Sequence, residues 1–229
     1  MATYVVAGSK PWNRRIFDAE IASIPGTWHY VDSREELTLQ WLESIRPDHV
    51  FFLHWSWKVE TAIIEQFDCV CFHMTDVPYG RGGSPLQNLI ARGHRATKLT
   101  ALKMVRELDA GPVYYKEDLS LEGGAEEIYI RATRQAAAMM RRIGEENIRP
   151  EPQQGEVEIF KRRSPQQSEI EALADLDSLH DFVRMLDAEG YPKAFLIHEG
   201  FRYEFSRAVL YDGRIQADVA ITPIEKGDR

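Results

Sequence analysis

Short apolar runs alternate with stretches whose apolar residues recur at helical spacing. Residues 2–7 form an apolar run of β character, 8–13 a loop, and 14–23 a helical stretch. Residues 28–31 and 50–53 read as the next strands. A helix over 33–44 lies between them, opening on a capping box of Ser33 and Glu36. Residues 61–66 are helical, and the apolar run 67–72 reads as a buried strand whose end projects His73 past the sheet edge. A polar, Gly-rich turn follows. Ser84 then reads as N-cap, with Pro85 opening a helix to about residue 91, and Gly93 stopping it. Residues 97–104 alternate polar and apolar, as a strand covered on one face does; 105–109 form a loop and 112–119 a further strand. Residues 125–147 carry a long helix with Ile128, Ala132, Ala136, Met139, Met140 and Ile143 on its apolar side. This order predicts an α/β domain with a central, mostly parallel sheet.

Residues 149–155 are a linker by composition. Beyond them, 157–160 is extended, 179–186 helical, and 194–197, 202–209 and 216–221 are strand-like, which predicts a small α+β appendage. The expected organisation is a main domain over 1–148, a linker over 149–155 and an appendage over 156–229. At 229 residues the chain has room for one full domain and a small addition. Its net charge of −8 disfavours broad binding to a phosphate backbone, although a small anionic ligand needs only a few local cations. Two cysteines imply no disulfide framework. With no signal-peptide pattern and no apolar run of membrane-spanning length, the reading is cytoplasmic, with no membrane partner.

The chemistry concentrates around His73. A strand, a histidine at its end, a Gly-rich loop and a helix start are how an open α/β sheet builds a site at the carboxyl ends of its strands. Asp109 lies 36 residues on, in an Asp-Ala-Gly turn. Alone, His73 has a structural reading and Asp109 a turn-forming one. Cys71 shares a strand face with His73, so a thiol nucleophile is one alternative. Cys69, Cys71 and His73 on that face invite a metal reading; three same-face positions on one strand converge poorly on an ion, and none is expected. Lys10 and Asn13 follow the first strand, where a loop can meet a ligand phosphate or be a solvated turn. Trp55 and Trp57, after the third strand, can pack on a flat ring or seal the sheet edge.

The stretch from Cys71 to Pro85 resembles the folate-dependent formyltransferase family. There the strand ends Asn-x-His, then come a Ser, Leu-Pro and Arg-Gly, and a Pro three residues later. His73, Thr75, Pro78, Arg81, Gly82 and Pro85 fall in that register, and Asp109 falls at the family's catalytic Asp. The likeness covers roughly residues 45–135 and departs at Cys71, which stands at the Asn position. It implies a Rossmann-like formyltransferase domain, 10-formyltetrahydrofolate as formyl donor, and His73, Asp109, Cys71 and Thr75 as the catalytic set. It further implies folate contacts at Trp55, Trp57, Arg81, Met104 and Leu108. Arg162-Arg163-Ser164-Pro165 and Tyr191-Pro192-Lys193-Ala194-Phe195 resemble elements of the nucleotide-sugar N-formyltransferases of pseudaminic-acid-type pathways. Residues 151–229 hold ten basic and sixteen acidic residues, which disfavours tRNA. The expected acceptor is therefore a UDP-4-amino-4,6-dideoxy hexose for surface polysaccharide biosynthesis, contacted by Lys10, Asn13, Arg162 and Arg163. No nucleic-acid partner is expected, and a homodimer is possible. The alternatives are a methionyl-tRNA or other amine formyltransferase, and a non-catalytic protein that binds folate or a nucleotide sugar.

Overall fold

The computed structural model describes residues 1–146 and 148–224. The chain divides into two compact units: one holds Met1–Gly82, Thr97–Leu119 and Ile130–Phe160, the other Gly83–Ala96, Ser120–Tyr129 and the chain from Lys161 onward.

The first unit is built on β1 (Thr3–Gly8), α1 (Pro11–Ile16), β2 (Thr27–Val31), α2 (Leu39–Ile45), β3 (His49–Leu53), α3 (Thr61–Gln66) and β4 (Cys69–His73). β5 (Arg81–Gly82) pairs with a short strand described below. β6 (Ala96–Lys103) and β7 (Val113–Ser120) complete a six-stranded sheet of order β2-β1-β3-β4-β6-β7. The first four strands are parallel neighbours. β1 and β3 are buried almost throughout, which is why they read as unbroken apolar runs. β6 runs antiparallel to β4, setting Cys71 opposite Leu102 and His73 opposite Thr100. Val5, Ala7, Val50, Phe52, Ile63 and Cys69 form a core on which Trp55, Cys71 and Met104 pack, partly buried.

Two helices of the first unit start elsewhere than expected, and the helix expected over 179–186 spans Leu176–Arg184. The first begins at Pro11, because proline's fixed φ suits the first helical turn, and a π-helical stretch, Phe17–Ile21, continues it. The helix expected over 33–44 is α2, Leu39–Ile45. Its N-cap is Thr38, whose hydroxyl accepts from the Trp41 N–H at 3.2 Å. The Glu36 carboxylate reaches back instead to the Asp32 N–H at 3.3 Å, so the apparent capping box closes a turn.

In the second unit, α4 (Pro85–Ala91) starts after Ser84, as expected. The Ser84 hydroxyl does not cap it, however; it accepts from the Arg163 N–H at 3.0 Å. α5 (Ala125–Glu145) is the expected long helix; its expected last residue, Asn147, lies outside the described residues. Residues 149–155 carry defined contacts within the first unit, where Glu151 exchanges both backbone hydrogen bonds with Val113, at 2.7 and 2.9 Å. β8 (Ile159–Phe160) pairs parallel to β5. The second unit continues with α6 (Leu176–Arg184), β9 (Ala194–His198), β10 (Phe201–Tyr211) and β11 (Arg214–Pro223), the last three an antiparallel sheet of order β11-β10-β9. No helix among the described residues is long and apolar enough to cross a membrane.

Candidate active site

His73 is the last residue of β4 and is buried, with 8% of its surface exposed. Its Nε2 lies 2.8 Å from the Gly80 carbonyl. A carbonyl only accepts, so Nε2 carries a proton and Nδ1 is the ring's basic position. Nδ1 faces the Asp109 carboxylate at 3.6 Å, just beyond direct hydrogen-bond reach. The buried Thr75 hydroxyl also donates to the Gly80 carbonyl, at 3.2 Å, while the Thr75 carbonyl accepts from Thr100 at 2.7 Å. The turn 75–80 is thus stitched to β6 below the histidine. Gly80 has φ +77°, and a Cβ there would meet Thr75 and Phe160 at 2.7 and 2.8 Å, so the residue must be glycine.

Asp109 comes from the connection between β6 and β7, with φ +53°, a left-handed conformation uncommon outside glycine. Its Oδ2 accepts from the Gly82 N–H at 2.9 Å. Gly111 is pressed so closely on β6 that a Cβ would lie 1.7 Å from the Lys103 carbonyl. Arg81, expected at folate, is instead engaged within the protein. Its Nε and Nη2 donate to Gln153 Oε1 at 3.0 and 2.8 Å, and Nη1 lies 3.8 Å from Glu107. The Gln153 amide donates to the Asp109 and Gly111 carbonyls at 2.8 and 2.7 Å. Gln153, the Gly80 carbonyl and the Gly82 amide escaped the sequence reading, because backbone groups and a glutamine in a polar stretch carry no pattern.

Cys71 is partly accessible, yet burial of its thiol and the nearby Asp109 charge push the pKa well above the ordinary thiol value. The two effects act in the same direction, against the thiolate. Trp55 and Trp57 meet edge-to-face with ring centroids 4.9 Å apart; Trp57 is 41% exposed and Leu108 69%. A small groove lined by Arg34, Leu37, Trp55, Lys58, Val59, Glu60 and Ile63 includes none of His73, Asp109, Cys71 and Thr75. Asn13 is fully buried: its amide donates to the Leu53 carbonyl at 2.8 Å and accepts from His54 and Thr133 at 3.2 and 3.3 Å. It braces β3 and α5 rather than meeting a ligand. Lys10 is half-buried, and burial lowers its pKa.

Arg162 and Arg163 belong to the second unit. Arg162 is exposed, and its backbone sits so close to Gly83 that a Cβ there would come within 2.5 Å of the Arg162 Cβ. Arg163 turns inward, with its guanidinium 5.7 Å from the Phe182 ring and bonded to the Gln167 carbonyl. They are not a matched pair of free cations, as a diphosphate would need. Ala194 and Phe195 of the Tyr-Pro-Lys-Ala-Phe stretch are buried in β9, which gives that motif a packing reason. Among the described residues no group of three or more His, Cys, Asp and Glu is placed to hold a metal ion.

A family model described as the methionyl-tRNA formyltransferase C-terminal domain matches residues 165–222. Methionyl-tRNA formyltransferase of Rickettsia prowazekii is 33% identical over 91 residues, which span 39% of this chain and 30% of that protein. The match thus covers under a third of such relatives' length. A solved structure described as methionyl-tRNA formyltransferase from Clostridium thermocellum is 41% identical, with a TM-score of 0.94 over 97% of this chain and 100% of that chain. HypX from Aquifex aeolicus, solved with tetrahydrofolic acid, shares the fold at a TM-score of 0.73 and 16% identity, over 90% of this chain and 37% of that one. These findings overturn the nucleotide-sugar acceptor, and with it the polysaccharide setting and the exclusion of nucleic acid. The net charge of residues 151–229 is a sum over the segment and describes no one surface, so it does not exclude a nucleic acid.

Proposed function

The chain belongs to the formyltransferase family, and from that premise we propose that it moves a formyl group from 10-formyltetrahydrofolate to the amine of methionyl-tRNA. One observation carries the reaction: His73 Nδ1, the basic ring position, faces the Asp109 carboxylate at 3.6 Å at the carboxyl end of β4. The acceptor rests on the relatives that match at both the C-terminal segment and nearly the full chain length.

The residues present fit such a donor. Trp55 and Met104 offer partly buried apolar surface on the same core as Cys71, which suits a flat ring with polar edges. The donor supplies an electrophilic carbonyl carbon and a leaving nitrogen. The amine forms the new N–C bond as the bond from that carbon to the folate nitrogen breaks. One amine proton leaves, and His73 takes it at Nδ1, where the Asp109 charge stabilises the resulting imidazolium. The folate nitrogen leaves with a proton returned from the same pair. Charge developing on the formyl oxygen needs donors, and the Cys71 thiol is a weak one.

The test is a formylation assay with 10-formyltetrahydrofolate and methionyl-tRNA, read by mass for the gain of one formyl group on the methionine. His73→Asn should lower turnover by about 100- to 10,000-fold. Transfer only to some other amine would move the acceptor, and no transfer to any amine would remove the enzymatic reading.

A further inference from the structure

We infer that Gln153 is a positioning residue that holds the Asp109 carboxylate at its distance from His73; this rests on the reading of that pair as the reacting centre. Asp109 sits in a left-handed conformation on the turn between β6 and β7. Its carboxylate has one backbone anchor, the Gly82 N–H at 2.9 Å. Gly82 ends β5, so the anchor is only as well placed as that two-residue strand. Gln153 ties the two segments together. Both its amide hydrogens go to the turn, at the Asp109 and Gly111 carbonyls, and its oxygen takes the Arg81 fork from the other segment. Every hydrogen-bonding position of the Gln153 amide is used in this bridge. Its own backbone is fixed by the Glu151–Val113 pairing two residues earlier. Glutamine fits because it alone among side chains of that length presents two donors and an acceptor in one plane. A glutamate keeps the Arg81 contact and loses both donors; an alanine loses everything.

The experiment uses Gln153→Ala and Gln153→Glu in the full chain, with Asp109→Ala as reference. Exchange of the Gly82 amide hydrogen, followed by NMR, reports the Asp109 anchor without any substrate. Both Gln153 variants should still unfold cooperatively and speed this exchange by about tenfold, as Asp109→Ala does. In the formylation assay both should lose kcat by about a hundredfold with KM for either substrate within about twofold, since a displacement near 1 Å costs that much. Unchanged Gly82 exchange in both variants, while Asp109→Ala raises it, overturns the inference. So does a loss that falls on KM alone, or loss of cooperative folding in both variants, which would make Gln153 a fold residue. If the wild type formylates nothing, the exchange measurement still decides the positioning claim, and only the functional reading fails.

Discussion

Cys71 stands where the resemblance to the formyltransferases implies an asparagine, and its environment decides what it can do. Burial and the Asp109 charge both disfavour the thiolate, the form in which a cysteine attacks carbonyls. A direct transfer from folate to the amine is therefore the better route than a thioester. Cys71→Ser should keep kcat/KM within about tenfold, because a hydroxyl donates a hydrogen bond at least as well as a thiol. Mass analysis of acid-quenched enzyme should find no formyl group on the Cys71 peptide; a formyl-thioester there, with Cys71→Ser inactive, would reverse the mechanism. At this scale the sequence carried His73 and Asp109 through their spacing and their register with the family. It could not carry their partners. The Gly80 carbonyl and Gly82 amide are groups every residue possesses, and nothing along the chain pairs the Arg81 fork with Gln153.

Among the elements, the connection between β6 and β7 does most to place the site. It doubles back so tightly that the Lys103 N–H meets the Pro112 carbonyl at 2.8 Å, with Gly111 against the Lys103 carbonyl. A methyl group at Gly111 would overlap that carbonyl, which cannot rotate away. Gly111→Ala should thus lift the turn off β6 and cost about 2 kcal/mol or more. Urea unfolding monitored by tryptophan fluorescence gives the number, and an unchanged midpoint would mean the turn has slack. The strands themselves were legible because alternate burial and continuous apolar runs are local signals. The helix starts were less so: Ser33 and Glu36 match a capping box in spacing, but Thr38 captured the helix start because Leu37 is buried just before it.

For the whole molecule, pH dependence follows from His54, which sits after β3 with φ +46°. Burial, with Lys10 nearby, pushes its pKa down to about 3. The folded chain therefore keeps His54 neutral while the unfolded chain takes up a proton below about 6.5. Stability is fully present above that value and falls as pH drops toward 3, at about 1.4 kcal/mol per pH unit. Between pH 7 and 5 His54 should account for a loss of about 2 kcal/mol. His54→Asn, which tolerates a left-handed φ, should flatten this part of the stability curve in urea titrations. An equal slope in the variant would assign the loss to other groups. Asp68 acts elsewhere: burial works to raise its pKa, but contacts from His49, Tyr114 and Lys103 outweigh it and hold the carboxyl well below its ordinary range. That contribution is lost only as pH falls below the usual carboxylate values, outside the window tested.

The sequence by itself determined the α/β architecture of the sheet, the position of His73 at a strand end and the partner Asp109, because apolar periodicity and motif spacing act along the chain. Tertiary structure alone decided that Asp109 is anchored on Gly82, that Ser84 serves Arg163 rather than its helix, and that Gln153 reaches back 44 residues to the Asp109 turn. It also decided that α4 and the start of α5 belong with the C-terminal sheet in the second compact unit. Each of these is a contact between residues far apart in the chain, made by polar groups whose neighbours in sequence give no sign of what they will meet. Such contacts exist only once the sheet has brought the segments together.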